Sequence, residues 1–211
     1  LMTPSEDVKF CHLHVHSEYS IMDGTIVIKD LIKEVKKRGH THIALTDHSN
    51  MHGAVEFYLA AKSEGITPIL GCEVYHEGVS AWNEVKNKQG KIEKTDPFHL
   101  VVLAKNTDGY KSLLKLVSSA YLGENLKEVP IVSQKDLKAE SHDLVALSSC
   151  LRGEFGTFVR KLRDLLGSDE FLIDYNNPKT GSLCRAFKAH VDKMLEVFGE
   201  DHYYIELIDH N

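Results

Sequence analysis

Apolar and histidine positions alternate over Cys11-His12-Leu13-His14-Val15-His16, the two-residue period of a β-strand. Side chains two apart on a strand share a face, so the pattern predicts His12, His14 and His16 in one row, with Asp23 on the loop just beyond. The period then lengthens. Ile28, Leu31, Ile32 and Val35 recur at helical spacing, and the run ends in Lys36-Lys37-Arg38-Gly39, a basic last turn with a glycine stop. A short strand over residues 43–48 follows and delivers His48 at its C-terminal edge. A helix over 54–64 and a strand over 68–75 that carries Glu73 complete this part.

Residues 76–97 lose apolar periodicity and read as a long surface excursion. The core resumes with a strand over 98–104 and a helix whose Leu113, Leu114, Leu116 and Val117 form one buried stripe. Ser133 is placed to cap a short helix, and Leu144-Val145-Ala146-Leu147 reads as a buried strand leading to Cys150. Helices over 155–166 and 187–198 flank a turn at Asn177-Pro178, and a last strand covers 203–207. Strands alternating with helices predict an α/β fold, a largely parallel sheet or a barrel, with its site at the C-terminal strand ends.

The chain has 211 residues, the size of one domain with a real core. No apolar run approaches the roughly 18 residues of a membrane span. The first residues are polar and acidic rather than a secretory signal, so the expectation is a cytoplasmic protein without a membrane partner. Thirty-one acidic against twenty-five basic residues leave a net charge of −6, the wrong sign for a domain that grips nucleic acid unaided. Cys11, Cys72, Cys150 and Cys184 are widely separated with no Cys-x-x-Cys pair, which indicates neither a disulfide framework nor a zinc ribbon.

Thirteen histidines are many for this length. The strand reading gathers His14, His16, Asp23, His48, Glu73, His99 and Cys150 on one rim. Imidazole, carboxylate and thiolate together suit zinc, with manganese or iron tolerated, and so many ligands imply two or three metals. Glu73 and Asp23 are the candidate catalytic carboxylates, with Glu73 bridging metals. Such a pair of metals can activate water and neutralise charge developing on phosphoryl oxygens, so the expected chemistry is phosphate ester hydrolysis. Asp47 reads as an orienter of its neighbour His48, Arg152 as a phosphate clamp and His12 as a core or supporting histidine. The plainer alternatives are a solvent-facing histidine row, a Cys150 that is simply a small buried hydrophobe and a surface Arg152. His40, His42, His52, His76, His142, His190 and His202 are assigned to the surface or to packing. Asp209-His210 is left out, because adjacent residues on a strand point to opposite faces.

Three ordered motifs resemble one family closely: His-Leu-His-Val-His-Ser-Glu-Tyr-Ser at 12–20, Leu-Thr-Asp-His-Ser-Asn-Met-His-Gly-Ala-Val-Glu-Phe at 45–57 and Gly-Cys-Glu-Val-Tyr at 71–75. Phe-His-Leu at 98–100 and Leu-Ser-Ser-Cys-Leu-Arg-Gly-Glu at 147–154 continue the likeness. The family is the polymerase and histidinol phosphatase (PHP) domain at the N-terminus of bacterial DNA polymerase III α subunits. The resemblance covers nearly the whole chain, 1–211, as one metal-binding domain, and implies a distorted (β/α)7 barrel with up to three metals. Its ligands fall on His14, His16, Asp23, His48, Glu73, His99 and Cys150. The family pattern closes with a later Asp-x-His that this chain does not reach, so a truncated fragment lacking its last strand, with an open edge and weakened metal occupancy, is expected.

The resemblance implies part of a DNA-directed DNA polymerase, with a phosphoesterase site supporting 3′–5′ exonuclease proofreading. The implied partners are DNA, held through the parent polymerase, together with the proofreading exonuclease subunit and other replicase subunits. The alternatives are a non-catalytic scaffold that docks that exonuclease, and a free-standing phosphoesterase of the histidinol phosphatase kind.

Overall fold

The computed structural model describes residues 10–78, 84–86, 92–94, 97–122, 128–168 and 173–208, of which 84–86 and 92–94 are described by backbone alone. The chain forms two compact units, residues 1–73 and 74–211.

In the first unit, α1 (Ile28–Lys37) turns Ile28, Ile32 and Val35 inward, with Asp30 in its first turn and Lys36 and Lys37 in its last, as the helix dipole favours. Strand β1 (His42–Leu45), α2 (Ala54–Ser63) and β2 (Thr67–His76) follow, β2 running past the unit boundary by three residues. β1 and β2 are parallel, in register from His42 opposite Thr67 to Leu45 opposite Leu70. Ile28, Ile32, Val35, Ile43, Leu45, Phe57, Ala61 and Ile66 close one core between the helices and this pair of strands. Each large member contributes about 1.5–3 kcal/mol by leaving water.

The expected first strand is not regular. Residues 10–17 run beside β1, with Ala44 N–H donating to the His12 carbonyl (3.0 Å) and Thr46 N–H to the Val15 carbonyl (2.8 Å). The reason lies in Thr46, whose hydroxyl accepts the Val15 N–H at 2.9 Å, a side chain standing where a ladder carbonyl would.

In the second unit, β3 (Glu84–Lys86) and β4 (Ile92–Lys94) pair as an antiparallel hairpin inside the stretch expected to be a surface excursion. The remaining elements are β5 (Phe98–Ala104), α3 (Thr107–Ala120), β6 (Ile131–Val132), α4 (Gln134–Ala139), β7 (Leu144–Leu147), α5 (Glu154–Leu166), α6 (Gly181–Phe198) and β8 (Tyr203–Tyr204). Asn106 caps α3 by accepting from the N–H groups of Asp108 and Gly109, and Ser133 caps α4 as expected. Phe158, Leu162, Cys184 and Phe187 pack α5 on α6, with the Phe158 and Phe187 rings stacked at 4.1 Å.

Here the structure corrects the sequence reading. β5 and β7 are antiparallel, β7 and β8 parallel, and the end of β2 pairs with β6 in parallel, so the sheet is mixed. Among the described residues the strands of neither unit close into a barrel. Leu114 is exposed, leaving Leu113, Leu116 and Val117 as the stripe of α3. α6 begins at Gly181, six residues before the helix that the apolar period predicts. No helix among the described residues is long and apolar enough to cross a membrane.

Candidate metal centre

The first unit brings five of the expected ligands together. His14 Nε2 and His16 Nε2 lie 3.1 Å apart, and the Glu73 carboxylate faces both, Oε1 at 3.3 Å from His14 and Oε2 at 3.1 Å from His16. The two-residue period places both rings on one side even without a regular strand. Ligand atoms of His14, His16 and Glu73 all fall within 4.8 Å of one another. Glu73 is buried, 3 % exposed, at the C-terminal part of β2.

His48 and Glu73 are opposite one another in a parallel bridge just past β1. Facing a carbonyl, the His48 Nδ1 must carry its proton, which it donates to the Glu73 backbone oxygen at 3.1 Å. That bond fixes the tautomer and leaves Nε2 with its lone pair, turned toward Asp23 Oδ2 at 3.8 Å. Asp23 is exposed at the end of the 17–24 loop.

Asp47 does not orient His48 directly. Its buried carboxylate accepts the Ser17 N–H at 2.6 Å, the Ser17 hydroxyl at 2.8 Å and the Ser20 hydroxyl at 2.8 Å. Ser20 Oγ in turn accepts the His48 N–H at 2.9 Å. Asp47 thus ties the loop that carries Asp23 to the strand that carries His48. His12 is exposed rather than in the core, its ring against Phe10 (4.7 Å) and His40 (5.8 Å), because it sits on the outer end of the segment.

The second unit holds the other two expected ligands. His99 is buried on β5 with its ring edge-on to Tyr75, and its Nδ1 lies 3.8 Å from Cys150 Sγ. The Arg152 backbone holds this turn, its N–H donating to Cys150 Sγ (3.5 Å) and its carbonyl accepting from His99 N–H (3.2 Å). The Arg152 side chain is exposed. His40 and His202 are half-buried and His42, His52 and His142 exposed, while Asp209-His210 lies outside the described residues.

His76 and His190, given to surface or packing, are buried in a polar cluster with Glu154 and Tyr203. One signal was available: His190 falls on the apolar stripe of α6, with Cys184, Phe187, Met194 and Phe198 at its helical spacing.

The donor set fits a divalent cation. The Nε2 atoms of His14 and His16 face each other at 3.1 Å beside the Glu73 carboxylate, a set of two imidazoles and a carboxylate of the kind that zinc takes.

A profile of the PHP domain matches residues 12–210. The chain belongs to the PHP domain family. It matches the N-terminal region of bacterial DNA polymerase III α subunits. It is 37 % identical over 205 residues to the DNA polymerase III subunit α of Thermus aquaticus, which covers 96 % of this chain and 15 % of that protein. The corresponding subunit of Treponema pallidum is 35 % identical over 203 residues (96 % and 15 %), and that of Borreliella burgdorferi 45 % over 145 residues (69 % and 12 %). The chain therefore spans about a seventh of the length of the full-coverage relatives.

Proposed function

We propose that His14, His16, Asp23, His48 and Glu73 of the first unit are ligands of a multi-metal phosphoesterase centre, and that His99 and Cys150 are metal ligands contributed by the second unit. The parent protein would be a DNA polymerase III α subunit, with this centre acting as a 3′–5′ exonuclease. The observation that carries the reading is the Glu73 carboxylate facing two imidazole nitrogens 3.1 Å apart. The finer fold proposed with it is the distorted (β/α)7 barrel, and the partners are DNA, the proofreading exonuclease subunit and the other replicase subunits.

Bound zinc, or manganese or iron in its place, would supply charge neutralisation on phosphoryl oxygens and a more acidic water. The chain's own residues do the rest. His14 and His16 offer Nε2 donors, and Glu73, with one oxygen toward each, serves as the bridging carboxylate. His48 is held in one tautomer by the Glu73 carbonyl, and Asp23, exposed beside it, is placed to accept a proton at Oδ2. Arg152 is the proposed phosphate clamp. The relatives' much greater length favours a polymerase domain over a free-standing phosphatase of the histidinol phosphatase kind.

The test is elemental mass spectrometry on protein purified without added metal, beside a His14→Ala, His48→Ala variant, followed by digestion of oligonucleotides blocked at either end. About two metals per chain, lost in the variant, with release from an open 3′ end is the expected result. Metal without turnover would favour the scaffold that docks a separate exonuclease. No metal in either protein would overturn the proposal.

A further inference from the structure

Glu154 is the first residue of α5 and only 2 % exposed, and two buried imidazoles, His76 and His190, face its carboxylate. His190 Nδ1 lies 2.9 Å from Oε2, off the line of a straight hydrogen bond, and His76 Nε2 lies 3.9 Å from the same oxygen. Proton positions follow from the neighbours. His76 Nδ1 accepts the Gly78 N–H at 3.1 Å, so its own proton is on Nε2, toward Glu154. His190 presents its Nδ1 proton to the carboxylate, which leaves Nε2 to accept from the Tyr203 hydroxyl at 3.1 Å. Burial, and then the nearby Glu154 charge, raise the Tyr203 pKa, so its hydroxyl stays a donor. The result is a buried cluster in which Tyr203 hydrogen-bonds His190 and His190 stands against Glu154.

A buried ionisable cluster is a poor way to gain stability, since apolar side chains of equal volume do as well or better. Its value is in fixing one arrangement. Glu154 directly follows the turn that presents Cys150, and that turn is packed rigidly onto the start of α5. Gly153 N–H donates to the Cys150 carbonyl at 2.9 Å, a Cβ on Gly153 would come within 2.1 Å of the Ser148 oxygen, and one on Gly156 within 2.5 Å of Leu151 Cα. Ser149 takes a left-handed φ of 62°, which a serine holds only under constraint. Whatever fixes the first residue of α5 therefore fixes the thiol.

We propose that Glu154 is a positioning residue for Cys150, anchoring the start of α5 to His190 and Tyr203 so that Cys150 Sγ is held against His99. The inference rests on the reading of Cys150 as a metal ligand, and the experiment separates the two. In metal-free protein carrying Cys11→Ser, Cys150 is the only partly exposed thiol, Cys72 and Cys184 being buried. Its labelling rate with a chromogenic disulfide is measured in this background and in Glu154→Gln and Tyr203→Phe, together with thermal unfolding. The cobalt-loaded proteins are scanned for a thiolate charge-transfer band. The expected result is a labelling rate raised about tenfold in Glu154→Gln, and less in Tyr203→Phe, at temperatures well below unfolding, with the cobalt band weakened in step. Unchanged labelling in both variants while they remain folded overturns the positioning role. A cobalt band that survives Cys150→Ser overturns the ligand reading alone, because the labelling arm needs no metal.

Discussion

Ser17 gives both of its donors to Asp47, the N–H to Oδ1 at 2.6 Å and the hydroxyl to Oδ2 at 2.8 Å. With Ser20 on the same side chain, one buried carboxyl group organises the turn between the histidine pair and Asp23. Asp47→Ala would strand these donors, including a backbone N–H, and is expected to destabilise the protein by about 3 kcal/mol. Asp47→Asn keeps shape and one acceptor, so it should unfold closer to the parent while losing about ten- to a hundredfold in metal affinity. Denaturant unfolding and metal titration of both variants check this, and equal metal affinity in Asp47→Asn and the parent would count against it.

Gly24 closes the same turn. A Cβ there would lie 2.2 Å from the Ser17 carbonyl oxygen, which itself accepts from Ser20 N–H. Gly24→Ala forces backbone apart and should cost about 1–3 kcal/mol, with Asp23 displaced. Gly65→Ala, strained by its φ of +74° but with nothing within 4 Å, is a control remote from the loop: it should lower stability without changing metal affinity. Calorimetry and metal titration on the pair separate the two effects.

His76 sets a pH dependence. Burial holds its pKa down from the ordinary 6.5 to about 4, against the opposing pull of Glu154, with His190, His99 and Glu77 also nearby. The unfolded chain takes up this proton first, so the contribution is complete above about pH 6.5 and is lost as pH falls toward 4. The slope is about 1.4 kcal/mol per pH unit for one such group, a total near 3 kcal/mol. His76→Asn keeps an acceptor for the Gly78 N–H and removes the titration. Urea melts at pH 7.5, 6 and 5 should show a shallower loss in the variant; parallel curves would refute the assignment.

Metal should stabilise the first unit through the histidine pair. Zinc in a hundredfold excess over its dissociation constant would add about 2.7 kcal/mol. His14→Ala and His16→Ala should each abolish most of the rise in melting temperature on adding zinc, whereas His12→Ala, whose ring stands against Phe10 and His40, should retain it.

The run Phe98–Ala104 was legible to the residue as a strand because six apolar positions interrupted only by His99 have no other compact use, and α1 was legible from its apolar period, basic last turn and glycine stop. The direction of that strand was not. An apolar run carries no sign, and β5 lies antiparallel to β7 through partners 40 to 46 residues away. The nearness of His14, His16, His48 and Glu73 was legible because strand ends and a two-residue period are local signals. Glu154 with His76 and His190 was missed because its members are 36 to 114 residues apart, and only burial joins them. The route from Asp47 to His48 was hidden for a related reason: adjacency in sequence pointed straight to His48, while the folded loop brought Ser17 to Asp47 and set Ser20 between Asp47 and His48.

Glu73 serves the histidines with two separate parts of itself, its side chain facing His14 and His16 and its main-chain oxygen holding His48. These parts are separable by mutation. A single codon change at this position would remove the carboxylate from His14 and His16 and yet leave the main-chain oxygen that holds His48. A lineage built on this plan can therefore give up the carboxylate without dismantling the architecture around it, and the reverse change restores it just as cheaply.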